Sequence, residues 1–288
     1  MFHIHGLMKP KVLYVSDLDG TLLNAQSVIS PESARMLNTA IADGALFTAA
    51  TARTPATVVE LLKPLEMQMP AVVMTGAALF DTRDKTYSRV CYFPEGITER
   101  LIGMYRRAGV ATFVYTLEQE ILQVYHIGEL NDFEKMFISQ RCHSPYKRFN
   151  LPPTGGDSVL PESFPHTVLI FSVQPWEPAE ALYNRIKGER VPCTPLCYHD
   201  AFGPDWAELE IFGPTTSKAA AVEALASDVG ADRLVVFGDN VNDLSLFAIA
   251  DEGIAVSNAI PEVREAASDV IGPNTDDSVA RFILNHTS

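Results

Sequence analysis

Two aspartates one residue apart, Asp17 and Asp19, directly follow an apolar segment near the start of the chain. The segment, residues 12–15, contains two valines and is typical of a buried β-strand. In open α/β sheets ligands bind at the carboxyl ends of the strands, which is where we expect the two aspartates. Neighbouring carboxylates need a compensating cation or proton. The sequence therefore predicts a divalent metal ion, a shared proton, or both.

Later positions carry polar side chains that fit the same kind of site. Thr51 follows a second apolar segment, and Lys218 opens a predicted helix. Residues 238–243 follow another apolar strand and contain Asp239 and Asp243. Mg²⁺ prefers carboxylate, water and phosphate oxygens, and lysine serves as a point charge on phosphate. Because parallel strands share one carboxyl edge, these residues are expected to converge on a site that handles a phosphoryl group.

Each of these residues has a simpler explanation when it is taken alone. An Asp-x-Asp pair is usually a solvated turn, Thr51 could cap a helix, and Lys218 could be a solvated helix residue. Asp239 and Asp243 could be a turn and a first-turn carboxylate favoured by the helix dipole. The joint occurrence of all these positions, each at a strand end or a helix start, favours the chemical interpretation.

The elements that must position these residues alternate between strand and helix at both ends of the chain. Residues 45–50, 71–77 and 234–237 are predicted strands, which indicates right-handed crossovers and a parallel sheet. The middle of the chain instead alternates as antiparallel strands do, and residues 146–164 are a predicted loop. Residues 207–212 are predicted to resume the parallel pattern. The predicted fold class is α/β, a Rossmann-like doubly wound parallel-sheet core with an inserted α+β domain.

Composition limits the partners and the location. The net charge of −14 and the pI near 4.9 argue against nucleic acid as the main partner. No segment approaches a transmembrane span, and the first residues lack the apolar region of a signal peptide. We therefore expect a cytoplasmic protein without a membrane partner. Met8 could be a second start site, because the structured pattern begins only after residues 1–7.

The cysteines fit a reducing compartment. Four cysteines in 288 residues form no disulfide-rich framework. Cys193 and Cys197 are close in the chain, and Cys142 adjoins His143, so a structural zinc site is conceivable. The absence of a second close cysteine pair makes that site an unfavoured alternative.

The motifs resemble those of the haloacid dehalogenase (HAD) superfamily. Asp-Leu-Asp-Gly-Thr-Leu-Leu at residues 17–23 is similar to its first motif, and Gly-Asp-Asn-Val-Asn-Asp at residues 238–243 to its fourth. Thr51 and Lys218 match the second and third. The insertion between the second and third motifs, and the tail from residue 253, resemble the Cof-type phosphatases with a C2B α/β cap. This resemblance implies a first core segment at 1–82, a cap at 83–208, and a second core segment at 209–288.

The resemblance also implies roles for the two opening aspartates. Asp17 would attack phosphorus and form an aspartyl-phosphate. Asp19 would protonate the leaving oxygen and then activate the hydrolytic water. Mg²⁺ would be held by the carboxylate of Asp17, the backbone carbonyl of Asp19 and the carboxylate of Asp239.

The remaining site residues are implied to bind or position the phosphoryl group. Thr51, with Ala52 and Asn242 beside it, would contact the phosphoryl oxygens. Lys218 would neutralise charge on them, and Asp243 would hold Lys218 or a metal-bound water.

Departures from the family pattern occur beside these residues. Ala52 stands where glycine is usual, and Ala219 also replaces a glycine. Thr75 stands where an asparagine is common, which puts in doubt any substrate contact inferred from that asparagine.

The sequence thus predicts a Mg²⁺-dependent phosphatase, monomeric or a small homo-oligomer, acting on small phosphorylated metabolites such as sugar phosphates or phosphorylated cofactors. The alternatives are a phosphomutase or phosphotransferase with the same nucleophile, and a non-catalytic protein that senses phosphometabolites. A dehalogenase fits Asp19 and Asp239 less well. The inserted domain is expected to choose the substrate, and its polar and aromatic candidates are Tyr125, His126, Trp176, Tyr198, His199 and Asp200.

Overall fold

The structure, a computed structural model, describes residues 10–151, 160–199, 203 and 205–287. The second start site proposed at Met8 lies outside these residues. The chain divides into two compact units, formed by the described parts of residues 1–52, 58–84 and 217–288 and of residues 53–57 and 85–216. The domain limits placed after residues 82 and 208 stay a prediction, whereas the unit boundaries fall after residues 84 and 216.

The strands and helices are numbered in chain order. The strands are β1 Val12–Ser16, β2 Leu46–Ala49, β3 Ala71–Val73, β4 Ala78–Asp81, β5 Thr86–Ser88, β6 Thr112–Glu118, β7 Ile121–Ile127, β8 Lys147–Asn150, β9 Thr167–Pro175, β10 Thr194–His199, β11 Trp206–Phe212, β12 Arg233–Gly238, β13 Glu252–Val256 and β14 Asp269–Ile271. The helices are α1 Pro31–Ala42, α2 Pro55–Leu62, α3 Ile97–Ala108, α4 Asp132–Arg141, α5 Trp176–Gly188, α6 Lys218–Val229, α7 Leu244–Phe247, α8 Pro261–Ala266 and α9 Ser278–Thr287.

The first unit is built on a parallel sheet with the strand order β14-β13-β12-β1-β2. Helices α1 and α9 pack against each other, and α7 contacts both α6 and α8. The order reverses direction between β1 and β12, because the chain continues outward from these two neighbours on opposite sides. This is the point of a doubly wound sheet where ligands bind. The predicted Rossmann-like α/β core is confirmed.

Local sequence signals explain where the elements of this unit begin. The hydroxyl oxygen of Ser30 accepts a hydrogen bond from the Ser33 N–H at 2.9 Å, and Pro31 occupies the first helical position of α1. Ser217 caps α6 in the same way, accepting from the N–H of Ala220 at 3.0 Å. Because Ser217 fixes the start of α6, it also fixes the position of Lys218.

The second unit is an α+β body around a six-stranded sheet with the order β10-β11-β9-β6-β7-β8. All neighbouring strands pair antiparallel except β7 and β8, which are parallel. One apolar cluster joins α3 and α5 to the sheet and includes Leu101, Tyr105, Leu182, Val114 and Ile170. A second group of aromatic side chains gathers Phe137 of α4 with Phe113, Phe149 and Phe171.

Two local predictions for this unit were wrong. Residues 206–212 do not resume the parallel pattern, because β11 pairs antiparallel with β9 and β10. The alternating apolar residues of β11 are compatible with a parallel or an antiparallel sheet, so the sequence alone does not decide which sheet the strand joins. Residues 147–150 form a strand inside the segment predicted as a loop, because Phe149 packs into the aromatic group and offsets the poor strand propensity around it. Among the described residues, no helix is both long and apolar enough to cross a membrane.

Candidate active site

Asp17 lies directly after β1, where the strand order of the first sheet reverses. Its N–H donates to the carbonyl of Phe237 on β12 at 3.0 Å, which ties the two central strands together at their carboxyl ends. Its side chain is only 9% exposed. The fold therefore buries one carboxylate at the sheet edge where a ligand is expected.

The loop after Asp17 is built around a contact with Asp239. Gly20 has a φ of +79°, and a Cβ there would lie 2.4 Å from Oδ2 of Asp239, so a larger residue does not fit. Thr21 Oγ1 donates to Asp239 Oδ1 at 2.7 Å. The first and fourth motifs, 218 positions apart in the chain, are thus in direct contact.

Asp243 orients the turn that carries Asp239. Its Oδ2 accepts from the N–H groups of Asp239 at 3.0 Å and Asn240 at 3.2 Å. Gly238 leaves room for this arrangement, because a Cβ there would lie 2.6 Å from the Cβ of Asp243. Asp243 is fully buried, so its carboxylate acts as a fixed acceptor for the turn.

Lys218 connects the two motifs by its charge. Its Nζ donates to Asp17 Oδ1 at 2.6 Å and to Asp243 Oδ1 at 2.9 Å. Burial alone would lower the pKa of Lys218, but the carboxylates of Asp17 and Asp243 outweigh it and raise that pKa. Lys218 is therefore held as an ammonium ion between two anions.

The negative charge of the three carboxylates exceeds the positive charge of Lys218. Carboxylate oxygens of Asp17, Asp239 and Asp243 lie within 4.8 Å of one another. Burial raises the pKa of Asp17 to about 7, with Lys218 opposing and the neighbouring aspartates adding to the shift. Burial also raises the pKa of Asp239 to about 6, while the Thr21 hydroxyl opposes it. Burial is the main cause of both shifts, and the excess of negative charge at the sheet edge comes from three carboxylates grouped around one ammonium.

This donor set fits a hard divalent cation. All the available ligand atoms are carboxylate oxygens, which Mg²⁺ prefers. Both oxygens of Asp243 already accept hydrogen bonds, from Lys218 and from backbone N–H groups. Asp17 and Asp239 are therefore the carboxylates better placed for a metal, and their role as metal ligands stays a prediction. Within the described part of the chain no other group of His, Cys, Asp or Glu side chains could hold a metal ion, and the zinc alternative has no support.

Thr51 lies beyond β2 and is tied to the loop after β3. Its side chain is 1% exposed. Its N–H donates to the carbonyl of Val72 at 2.9 Å, and its carbonyl accepts from the N–H of Thr75 at 3.0 Å. Gly76 then packs on the start of α6, where a Cβ would lie 2.1 Å from the carbonyl oxygen of Ser217. One short loop thus contacts the elements that carry Thr51 and Lys218.

Thr75 is the residue in this loop that sequence reasoning left without a role. Its φ of +55° and ψ of +27° place a β-branched residue in the left-handed region, which is strongly disfavoured. Its hydroxyl oxygen is buried and has no hydrogen-bond partner among the residues that the structure describes. Backbone strain of this kind costs about 1–3 kcal/mol and is concentrated at functional sites.

The other predicted residues lie at the margin of the cluster. Asp19 is exposed, and Ala52 is half-buried. Asn242 is exposed within the short turn at Val241–Asp243. The structure therefore brings together Asp17, Lys218, Asp239 and Asp243, whereas the contacts predicted for these three residues remain predictions.

Two asparagines hold the loop of the first motif by hydrogen bonds, and sequence reasoning did not identify them. Asn258 Nδ2 donates to the carbonyl of Gly20 at 2.8 Å, and Asn274 Nδ2 donates to that of Leu23 at 2.7 Å. The two asparagines also join through Asn274 N–H and Asn258 Oδ1 at 2.9 Å. Asn258 lies in the tail segment, from residue 253, that resembles the family. That resemblance was the feature of the sequence from which its role could have been inferred.

The candidates in the second unit are mostly engaged in local contacts. His126 Nε2 lies 3.2 Å from Glu134 Oε2, and both side chains are buried. The rings of Trp176 and His199 stack with centroids 3.8 Å apart. Asp200 lies outside the described residues. These contacts account for His126 structurally.

Comparison with known proteins shows the family. The chain belongs to the haloacid dehalogenase-like hydrolases, whose family model matches residues 14–283. Together with the curated phosphatases to which the chain is similar, this match confirms the resemblance to the Cof-type phosphatases and supports a phosphatase.

Individual relatives cover nearly the whole chain. It is 28% identical to the 5-amino-6-(5-phospho-D-ribitylamino)uracil phosphatase YwtE of Bacillus subtilis, over 93% of this chain and 95% of that protein. It is 24% identical to the pyridoxal phosphate phosphatase YbhA of Escherichia coli, over 94% and 96%. The solved structure of the HAD subclass IIB sugar phosphatase BT4131 has a TM-score of 0.69 at 19% identity, over 96% and 98%. At that identity the structural likeness supports the fold alone.

Proposed function

We propose that the protein is a Mg²⁺-dependent phosphatase that hydrolyses small phosphorylated metabolites through an aspartyl-phosphate on Asp17. The observation that carries this proposal is the Lys218 ammonium held between Asp17 and Asp243, next to the carboxylate of Asp239. Such a cluster combines an anionic nucleophile with fixed positive charge, and phosphoryl transfer depends mainly on positioning and electrostatics.

The contact between Lys218 and Asp17 supports different tasks for the two oxygens of Asp17. Lys218 holds Oδ1 at 2.6 Å, which leaves Oδ2 to attack phosphorus. A P–O bond to Oδ2 forms as the bond to the leaving oxygen breaks, and Asp19 supplies the proton to that oxygen. Asp19 then removes a proton from water, which attacks the same phosphorus and regenerates Asp17.

The other residues hold the phosphoryl group in place. Lys218 neutralises charge on the phosphoryl oxygens, and the Thr51 hydroxyl donates to one of them, with Ala52 and Asn242 beside it. Asp17, the backbone carbonyl of Asp19, and Asp239 would hold Mg²⁺. When bound, the ion would favour the anionic form of Asp17 and offset charge on the phosphoryl group. Asp243 keeps both Lys218 and the Asp239 turn in position.

The substrate class follows from the relatives. YwtE and YbhA are named as phosphatases of 5-amino-6-(5-phospho-D-ribitylamino)uracil and of pyridoxal phosphate, which are both small phosphorylated molecules. We therefore propose sugar phosphates or phosphorylated cofactors as substrates. The cysteines described as free fit the reducing cytoplasm that we propose as the location.

A substrate screen tests the proposal. Purified protein is incubated with a panel of phosphate monoesters, with Mg²⁺ or with EDTA, and free phosphate is measured. Release that requires Mg²⁺ and is abolished by Asp17→Asn, but retained by the matched exposed variant Asp43→Asn, supports it. Phosphate that appears on an added alcohol acceptor instead of in water would favour a phosphotransferase. The absence of turnover on the whole panel, with intact folding, would overturn the proposal.

A further inference from the structure

Lys147, the first residue of β8 in the second unit, is a buried lysine that has no counter-ion among the residues the structure describes. Its side chain is 4% exposed. The Nζ lies 5.1 Å from the ring centroid of Tyr115, 5.6 Å from that of Phe137 and 5.8 Å from that of Phe149. Within the described residues this ammonium makes no hydrogen bond and no ion pair. An ammonium group carries three N–H donors, and aromatic faces at these distances do not replace the hydrogen bonds it makes in water.

A second cation lies close to the ring of Phe137. The guanidinium carbon of Arg141, at the end of α4, lies 4.2 Å from the ring centroid of Phe137. Its hydrogen bond goes to the side chain of Gln140 at 3.1 Å, and no carboxylate of the described residues lies within ion-pair distance. The charge of Arg53 acts on Arg141 with the same sign, and the charge of Glu208 acts with the opposite sign.

The positive charge of this group is energetically uncompensated. Burial, and then repulsion by Arg141, lower the pKa of Lys147 to about 7. Burial also lowers the pKa of Arg141. A chain with a net charge of −14 has many carboxylates that could have paired with Lys147, but its neighbours are aromatic rings and another cation. An arrangement of this kind is stabilised when an anion enters.

Space for such an anion exists beside Lys147. A cavity of about 280 Å³ is lined by Lys147 and Phe149, by Cys142, which follows Arg141, and by the polar residues Ser144 and Arg148. That volume admits a carboxylate or phosphate group on a small organic body, and Arg148 adds a further positive charge to the lining.

We propose that Lys147 and Arg141 form a binding site for an oxyanion group, a carboxylate or phosphate carried by a small metabolite. The anion would accept hydrogen bonds from the Lys147 ammonium and the Arg141 guanidinium. The rings of Tyr115, Phe137 and Phe149 surround the Lys147 ammonium. The anion is bound as a separate effector within the second unit, so this inference goes beyond the proposed function and does not rest on it.

Binding of benzoate, a carboxylate without a phosphoryl group, tests the site directly. Isothermal titration is done on the whole protein, on Lys147→Met and on Lys135→Met, whose exposed ammonium on α4 pairs with Asp132 at 2.9 Å. Loss of a charged hydrogen bond should weaken binding about tenfold or more in Lys147→Met and leave the Lys135 control unchanged. Arg141→Gln should also weaken it, and Lys147→Arg should retain it.

These variants are expected to fold, because methionine fits among aromatic rings and Lys147→Arg keeps the positive charge. A loss of benzoate binding can therefore be separated from a loss of folding. Equal benzoate binding by the whole protein and by Lys147→Met, or no binding by either, would overturn the site. Because the titration needs no turnover, its outcome is independent of whether the protein is a phosphatase.

Discussion

The two units of the chain each bury a lysine, and they treat its charge in opposite ways. In the first unit Lys218 donates to two carboxylates, and its pKa is raised. In the second unit Lys147 faces aromatic rings and another cation, and its pKa is lowered to about 7. Burial acts on both lysines in the same direction, so the difference comes from the neighbours.

This contrast separates a completed cluster from an incomplete one. The cluster of Asp17, Lys218 and Asp243 satisfies its cation within the chain and leaves its excess charge negative, which calls for a metal ion. The pair of Lys147 and Arg141 leaves its excess charge positive, which calls for an anion.

The largest expected effect comes from removing the nucleophile in the first cluster. Asp17→Asn should lower kcat by at least about 10³-fold, because an amide cannot form the covalent intermediate. The variant keeps the size of the side chain and an acceptor for Lys218. The measurement is steady-state phosphate release with Mg²⁺, with the fold checked by circular dichroism. Turnover near the unmodified level would remove Asp17 from the mechanism.

Replacing each lysine by methionine tests the contrast in stability. Lys218→Met leaves Asp17 and Asp243 buried without their cation, so the free energy of unfolding should fall by about 3 kcal/mol or more. Lys147→Met removes a charge that has no ion-pair partner in the described part of the chain, so the free energy of unfolding at pH 7 should stay equal or rise. Urea denaturation of both variants provides the comparison. Equal losses in the two variants would show that Lys147 has a counter-ion in solution.

The pH dependence of stability sharpens the same contrast. The pKa of Lys147 is about 7 in the folded chain, and that of an unfolded lysine is about 10.4. Between these values the unfolded chain binds one more proton than the folded chain, so this lysine makes stability rise with pH by about 1.4 kcal/mol per unit. The penalty from Lys147 is complete below pH 7 and fades as the pH approaches the unfolded value.

The corresponding measurement is the difference in unfolding free energy between the unmodified protein and Lys147→Met at several pH values from neutral to alkaline. Subtraction cancels the groups that titrate in both proteins. The advantage of the methionine variant should shrink as the pH rises. A difference that does not change with pH would show that Lys147 titrates normally.

The sequence was most informative where chemistry and strand ends coincide. Asp17 and Asp239 follow adjacent strands of one parallel sheet, so their convergence followed from the order of strands and helices. The role of Asp243 as a fixed acceptor was predicted only in outline, because its two backbone partners depend on the shape of the turn. The catalytic roles of these residues stay predictions.

The sequence was least informative in the second unit. β8 was missed because its four residues, Lys-Arg-Phe-Asn, have little apolar pattern and are held by Phe149 in an aromatic group from distant elements. The isolation of Lys147 could not be predicted either, since a lysine in a predicted loop is ordinarily solvated. Both features depend on contacts between residues far apart in the chain.

The smallest expected effect concerns the hydroxyl of Thr75. This hydroxyl is buried and has no hydrogen-bond partner among the described residues. Thr75→Val keeps the volume and the β-branch, and therefore the strained φ of +55°, but removes the buried oxygen. Because that oxygen is desolvated without a partner, its loss should raise the free energy of unfolding by about 1 kcal/mol. Thr75→Ser, which keeps the hydroxyl, should show no such gain. The measurement is urea denaturation of both variants without substrate. A loss of stability in the valine variant would show that the hydroxyl is hydrogen-bonded in the free protein, and the first unit would then contain no unsatisfied group at this loop.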